Sequence, residues 1–252
     1  MTSIRLWAQK ILASSSLETK LRLCKEAFLE IQNSQVAIGS PLEVKWQLPE
    51  NLEVLPPKQL PSLKHVNPEV LTLHNIAHIE FMAIHMYWDT MARAEAPYSF
   101  FRDFAFIAQE ETTHLGWLIH RLQCLSSDYP SFPSHNMLMR HSEETKHSIT
   151  ERLVMLSLFS EARALDSKDR LAHKLSQWNK DCLSSELVKK IIEDEVNHVR
   201  LGVRWFKHFC EGEPREEFRR IITRRAGVLR PPFNLDLRDL AEFPRDWYEG
   251  LC

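Results

Sequence analysis

The sequence predicts an all-α protein built on a four-helix bundle with one long crossover. Three observations carry that expectation. Glycine is scarce, 6 residues in 252, and no segment shows the strict alternation of a strand. Four long stretches repeat apolar residues at helical spacing. Two of those stretches hold strings of one form, EETTH at 110–114 and DEVNH at 194–198: acid, Glu, two spacers, His. A Glu and a His three residues apart on a helix stand on one face, about 5–6 Å apart at Cβ, so each pair offers a carboxylate and an imidazole to one point.

The elements follow in order. Residues 16–33 place Leu17, Leu21, Cys24, Phe28 and Ile31 on one stripe, with Ser16 as N-cap. Residues 36–66 are rich in proline and read as an extended segment wrapping the surface. Asn67-Pro68-Glu69 is a helix start of cap, Pro at the first position and acid in the first turn, opening a helix to about Ala94 that is apolar nearly all round. Pro97 ends it, and a second helix runs from about Ser99 to Leu125. After the turn-rich SSDYPSFPSHN come a helix over roughly 142–165 ending near Asp166, a shorter one over 168–181, and a long one from Ser184 or Ser185 to about Cys210. A basic helix continues from Pro214 to Ala226, and the tail is irregular with one turn of helix. These segments group as an N-terminal helical and extended part (1–66), a bundle (67–212) and a C-terminal basic helix and tail (213–252), all within one structural domain.

Composition narrows the function. Hydrophobic residues make up 44% of the chain, enough for a full core, and a net charge of −2 gives no general attraction to nucleic acid or acidic lipid. No run of 18 apolar residues exists, so no membrane span is expected. The N-terminal MTSIRLWAQKILASSS is interrupted by Arg5, Gln9 and Lys10, which fits an amphipathic surface helix better than a signal peptide. The cysteines at 24, 124, 182, 210 and 252 are odd in number, widely spread and free of CxxC, as in a cytoplasmic protein with reduced thiols.

The chemistry lies in a pattern of lone Glu followed by Glu-x-x-His, used twice. Glu80 precedes Glu111 and His114, and Glu161 precedes Glu195 and His198. One Glu from each of two helices and a Glu-x-x-His from each of two others form the ligand set of di-iron and di-manganese carboxylate bundles, and a single long crossover is the ferritin-like connection. Four carboxylates and two neutral imidazoles balance two divalent ions, and metals ~3.5–4 Å apart can activate dioxygen or clamp a bridging oxygen. All four carboxylates fall on apolar helix faces, where a bare charge is very costly. Glu110, four residues from His114, is an alternative ligand to Glu111; otherwise Asp194 and Glu110 are placed behind the ligands, bonding the far nitrogen of a ligand His to fix its tautomer. His74, His78 and His85 fall off the Glu80 face and read as polar-face or supporting residues. Tyr87, Trp117 and Trp205 read as core. Arg215, Arg219, Arg220, Arg224, Arg225 and Arg230 could meet a polyanion, but Glu216 and Glu217 interrupt them, and a solvated face with internal ion pairs is the expectation.

The runs LHNIAHIEFMAIHMYWD, PYSFFRDFAFIAQEETTHLGWLIHRL, SEARALD, IIEDEVNHVRLGVRWF and RPPFN resemble the motifs of an uncharacterised ferritin-like family catalogued as domain of unknown function 455, over roughly residues 67–250. The resemblance implies a ferritin-like bundle with a dinuclear metal site at Glu80, Glu111, His114, Glu161, Glu195 and His198. The arrangement is more distantly similar to the diiron tRNA hydroxylases, by fold and ligands only. Two departures stand out. Leu237 and Glu242 occupy positions where small residues are usual after PPFN, and Asn136 replaces an acid after the loop His. The function expected is an O2-dependent oxidoreductase, a hydroxylase or oxidase with two iron ions (manganese uses the same ligands), an unidentified substrate and an electron-donor protein. The alternative is a non-catalytic iron-handling or peroxide-scavenging protein.

Overall fold

In the computed structural model, residues 2–178 and 182–251 are described; the end of the helix expected over 168–181 and Cys252 lie outside them. The described chain is mostly helical with almost no strand, in keeping with the sparse glycine and helical periodicity. It divides into two compact units, Met1–Glu143 and Glu144–Cys252.

The first unit holds α1 (Ile4–Ala13), α2 (Leu17–Asn33), α3 (Pro68–Arg93) and α4 (Tyr98–Cys124). Between α2 and α3 the chain is extended apart from a two-residue strand β1 (Val54–Leu55) and a 3-10 turn at Pro57–Gln59. Strand β1 pairs in parallel with β2 (Ser134–His135), Val54 opposite Ser134. The α3 start is the one the sequence announces: Asn67 Oδ1 accepts from the Glu69 N–H at 2.8 Å, with Pro68 at the first helical position. The two long helices bury Phe81, Tyr87, Trp88, Phe100, Phe101 and Phe104. Phe100 stacks on Phe104 at 4.1 Å, and Tyr87 meets Phe104 edge-on at 5.3 Å.

α1 is not a surface helix. Ile4, Arg5, Trp7, Ala8, Ile11 and Leu12 are all buried. Arg5, which looks like an interruption, donates to the carbonyls of Gly39 and Ala94. It thereby satisfies an orphan carbonyl at the end of α3, as basic side chains do at helix C-termini. Lys20 does the same for α1, its Nζ donating to the Ile11 and Leu12 carbonyls at 2.8 and 3.3 Å. Burial lowers its amine to about 8. The extended segment is fastened by backbone bonds, Leu42 N–H to Ala92 O at 2.9 Å and Gln47 N–H to Leu12 O at 2.8 Å. α5 (Met137–Thr145) then carries the chain into the second unit.

The second unit opens on α6 (Ile149–Leu153), capped by Ser148, and passes through a π-helical segment, Val154–Glu161, into α7 (Ala162–Trp178). This corrects two expectations: the helix begins at Ile149 and not at 142, and it does not stop near Asp166. The physical reason is tertiary. The Asp166 carboxylate, read as a turn signal, accepts from Arg238 Nε and Nη2 at 2.8 and 2.7 Å and from the Asn234 N–H at 3.0 Å. Its hydrogen bonds go to side chain and backbone 68 or more residues away, so it has no need to bend its own chain. α8 (Leu183–Phe209) and α9 (Pro214–Arg225) follow close to the expected bounds. The tail forms two short helices, α10 (Leu235–Leu240) and α11 (Arg245–Tyr248), where one turn was expected. Arg238 fixes them in place, its guanidinium lying 4.4 Å from the Tyr248 ring centroid, 4.8 Å from Phe233 and 5.1 Å from Phe243.

Candidate metal centre

Each unit builds one triad. In the first, α3 brings Glu80 and α4 brings Glu111 and His114, all three buried. His114 Nδ1 lies 3.4 Å from Glu80 Oε2 and 3.8 Å from Glu111 Oε2. Each residue offers one ligand atom, and these lie within 4.8 Å of one another. Atoms bound to one cation at about 2.0–2.2 Å cannot be more than roughly 4.4 Å apart, so the triad needs only small movements to close on an ion. It is Glu111, not Glu110, that joins His114 in this group.

The electrostatics of this triad call for positive charge. Burial pushes the Glu80 carboxyl well above its usual range, and the neighbouring Glu111 pushes it further. Burial works to lower His114, but the hydrogen bonds and charges of Glu111 and Glu80 overcome it and raise the imidazole to about 11. Two carboxylates in so dry a place hold protons or a cation.

In the second unit, Glu161 closes the π-helical segment and Glu195 and His198 stand on α8, again all buried. Glu195 Oε2 lies 2.9 Å from His198 Nδ1, and the ligand atoms of the three fall within 4.8 Å of one another. Gly202, one turn beyond His198, lets α8 approach the π segment: a Cβ there would stand 2.3 Å from Ser157 Cβ. Ser157 lies one turn before Glu161, so this contact sets how close the two ligand-bearing backbones come. Sequence reading missed its role. The available signal was a lone glycine inside an otherwise strong helix pattern. π-helical turns occur often at functional sites, and nothing in VMLSLFSE announces this one.

The remaining candidates fall into place individually. Asp194 is half-buried and pairs with Lys190 at 2.5 Å, and Glu110 is half-buried on α4. His74, His78 and His85 are not on a polar face; all three are buried. His74 Nε2 accepts the N–H groups of Ser131 and Phe132 at 3.1 and 3.2 Å, pinning the loop after α4. His78 bonds the Tyr129 hydroxyl and the His135 carbonyl at 3.1 and 2.8 Å. His85 Nδ1 donates to Phe81 O at 2.8 Å and its ring packs on Trp46 at 5.1 Å. Tyr87 and Trp205 are buried, but Trp117 is 38% exposed and not core. Its ring centroid lies 5.6 Å from that of His114.

The arginines on α9 are engaged by acceptors of the second unit. Arg215 meets Glu216 and the Asp246 carbonyl. Arg219 donates to the Asp246 and Glu249 carbonyls, and Arg220 pairs with Glu217. Arg224 and Arg225 both clamp Glu151. Among the described residues, no helix is long and apolar enough to cross a membrane.

The family model described as protein of unknown function (DUF455) matches residues 13–249, and the chain belongs to that family. It is similar to an uncharacterized protein of Haemophilus influenzae, 32% identical over 168 residues, covering 63% of this chain and 58% of the relative, so the match spans less than two thirds of that protein's length. No solved structure matches the chain. The buried carboxylate and histidine clusters could hold a metal ion.

Proposed function

We propose that this member of the DUF455 family is a diiron carboxylate oxidoreductase of ferritin-like architecture, with Glu80, Glu111, His114, Glu161, Glu195 and His198 as its metal ligands. The observation that carries the reading is the repetition itself. Two buried triads, each a lone Glu with a Glu-x-x-His, supply four carboxylates and two imidazoles of the di-iron bundle pattern. Each triad alone has two carboxylates for one ion, so the set neutralises two divalent ions with no other charge required.

In this reading Glu80, Glu111, Glu161 and Glu195 would hold the ions, and His114 and His198 would bind through Nδ1, the nitrogen that faces the carboxylates. Bound iron would supply reductive activation of dioxygen. The chain's own part is to keep the ligands dry. Ile107, Ala108 and Leu115 on α4 and Ile191, Ile192 and Val199 on α8 surround them and are themselves buried. The substrate is unassigned, an external protein donates electrons, and the protein works in the cytoplasm.

Metal analysis of freshly purified protein tests this. About two irons per chain are expected, with an O2-dependent near-ultraviolet band, and Glu111→Ala should lose both iron and band. Many irons per chain would replace the oxidoreductase with an iron-handling protein. Peroxide consumption without oxidation of any added metabolite would make it a scavenger.

A further inference from the structure

A hydroxylase draws two of the four electrons that dioxygen takes from its substrate and two from the ferrous pair, so the pair would be left ferric and a buried diiron centre would need a way in for two electrons per turnover. The exposed side of α4 supplies one. Tryptophan is highly buried on average, yet Trp117 is 38% exposed while His114, one turn earlier, is 1% exposed. The two rings are in contact, centroids 5.6 Å apart and planes tilted by 41°. His114 in turn faces Glu80 and Glu111 through Nδ1. A continuous π path therefore runs from solvent to a ligand atom within one helix. On α3, Ile79, next to Glu80, is also exposed at 40%, so large apolar side chains reach the surface beside ligands on both helices of the first unit.

We infer that Trp117 is the electron-entry residue of this protein, a positioning residue that couples an external one-electron donor to the centre through the His114 imidazole. The inference rests on the diiron reading above. The step balances simply. One electron would leave the donor and be taken up by bound ferric iron, the donor being oxidised and the iron reduced, with neither ring left oxidised. The indole offers a flat apolar face to a donor with a planar conjugated group, and no charge at the contact is needed.

The test uses the full-length iron-loaded protein and methyl viologen radical cation as donor, following decay of the ferric absorption in stopped flow without oxygen or substrate. Wild type and Trp117→Phe, which both carry a ring against His114, should be reduced at similar rates. Trp117→Leu should be several-fold slower at unchanged iron content and unchanged helical circular dichroism. A second reading needs no turnover: ferrous binding should quench indole emission in wild type, and that quenching should be largely missing in Trp117→Phe. Equal reduction rates for wild type and Trp117→Leu, with iron retained, would overturn the inference and leave the diiron reading standing. Failure of wild type to bind iron would remove the diiron reading itself.

Discussion

α4 and α8 carry the same Glu-x-x-His pattern, and each has a glycine just beyond it, yet the two glycines do opposite things. Gly116 is exposed, with nothing within 4 Å of where a Cβ would stand. Gly202 is buried, and a Cβ there would collide with Ser157 Cβ at 2.3 Å. In the first unit the lone Glu arrives on a regular α-helix, and the glycine of α4 makes no close contact. In the second, Glu161 arrives at the end of a π-helical segment, and α8 must come closer to it. The same ligand spacing is thus delivered by two backbone solutions, and only one of them depends on a missing side chain.

Three changes would break or sharpen this contrast. The largest effect is expected where the second unit relies on a distant ion pair. Arg238 and Asp166 are 2% and 4% exposed at the side chain, so Asp166→Ala leaves a buried guanidinium without its counter-charge and should cost about 3–5 kcal/mol. Denaturant unfolding measures it; a loss within the scatter of surface substitutions would mean that the pair does not hold the tail to α7.

Next comes the pair of glycines. Gly202→Ala should destabilise by about 1–3 kcal/mol through overpacking, whereas Gly116→Ala should stabilise by up to about 1 kcal/mol through helix propensity alone. Adding Ser157→Gly to Gly202→Ala should recover much of the loss, since the two share one contact. Like signs for the two alanine variants would erase the distinction between the helices.

The last contrast separates the units by pH. Burial lowers His74 to about 4 and His85, also buried, to about 3. An unfolded histidine titrates near ~6.5. Between these values the unfolded chain binds more protons than the folded one, so stability is complete above about 6.5 and falls as pH drops toward 4. Hydrogen exchange should show amides of the first unit around residues 125–136 losing protection first. His74→Gln keeps an acceptor for the Ser131 and Phe132 N–H groups without a titrating ring, and should flatten that loss. An unchanged slope in this variant would mean that His74 is not the group responsible.

Much of the architecture was legible in the residues. The Asn67-Pro68-Glu69 start, the Pro97 break and the all-round apolar character of α3 gave the first helical pair nearly to the residue, because caps and prolines act locally. The Arg5 and Lys20 roles were not legible. A buried cation on helix-end carbonyls looks, in sequence, like any exposed basic residue, since its acceptors are on other helices. Histidines 74, 78 and 85 were misplaced for the same reason: helical phase puts them off the Glu80 face, but not against which loop they lie.

By itself, then, the sequence determined α3, α4, α8 and α9 and named six candidate ligand residues, because helix formation, capping and i,i+3 spacing are properties of neighbours along the chain. Tertiary structure decided the rest. That α1 is core, that Asp166 sits mid-helix, that Gly202 is a contact and Gly116 is not, and that Trp117 lies open against His114 all turn on which distant atoms complete each residue's surroundings. No local pattern encodes those partners, because a buried polar or apolar group is satisfied by whatever the fold brings to it.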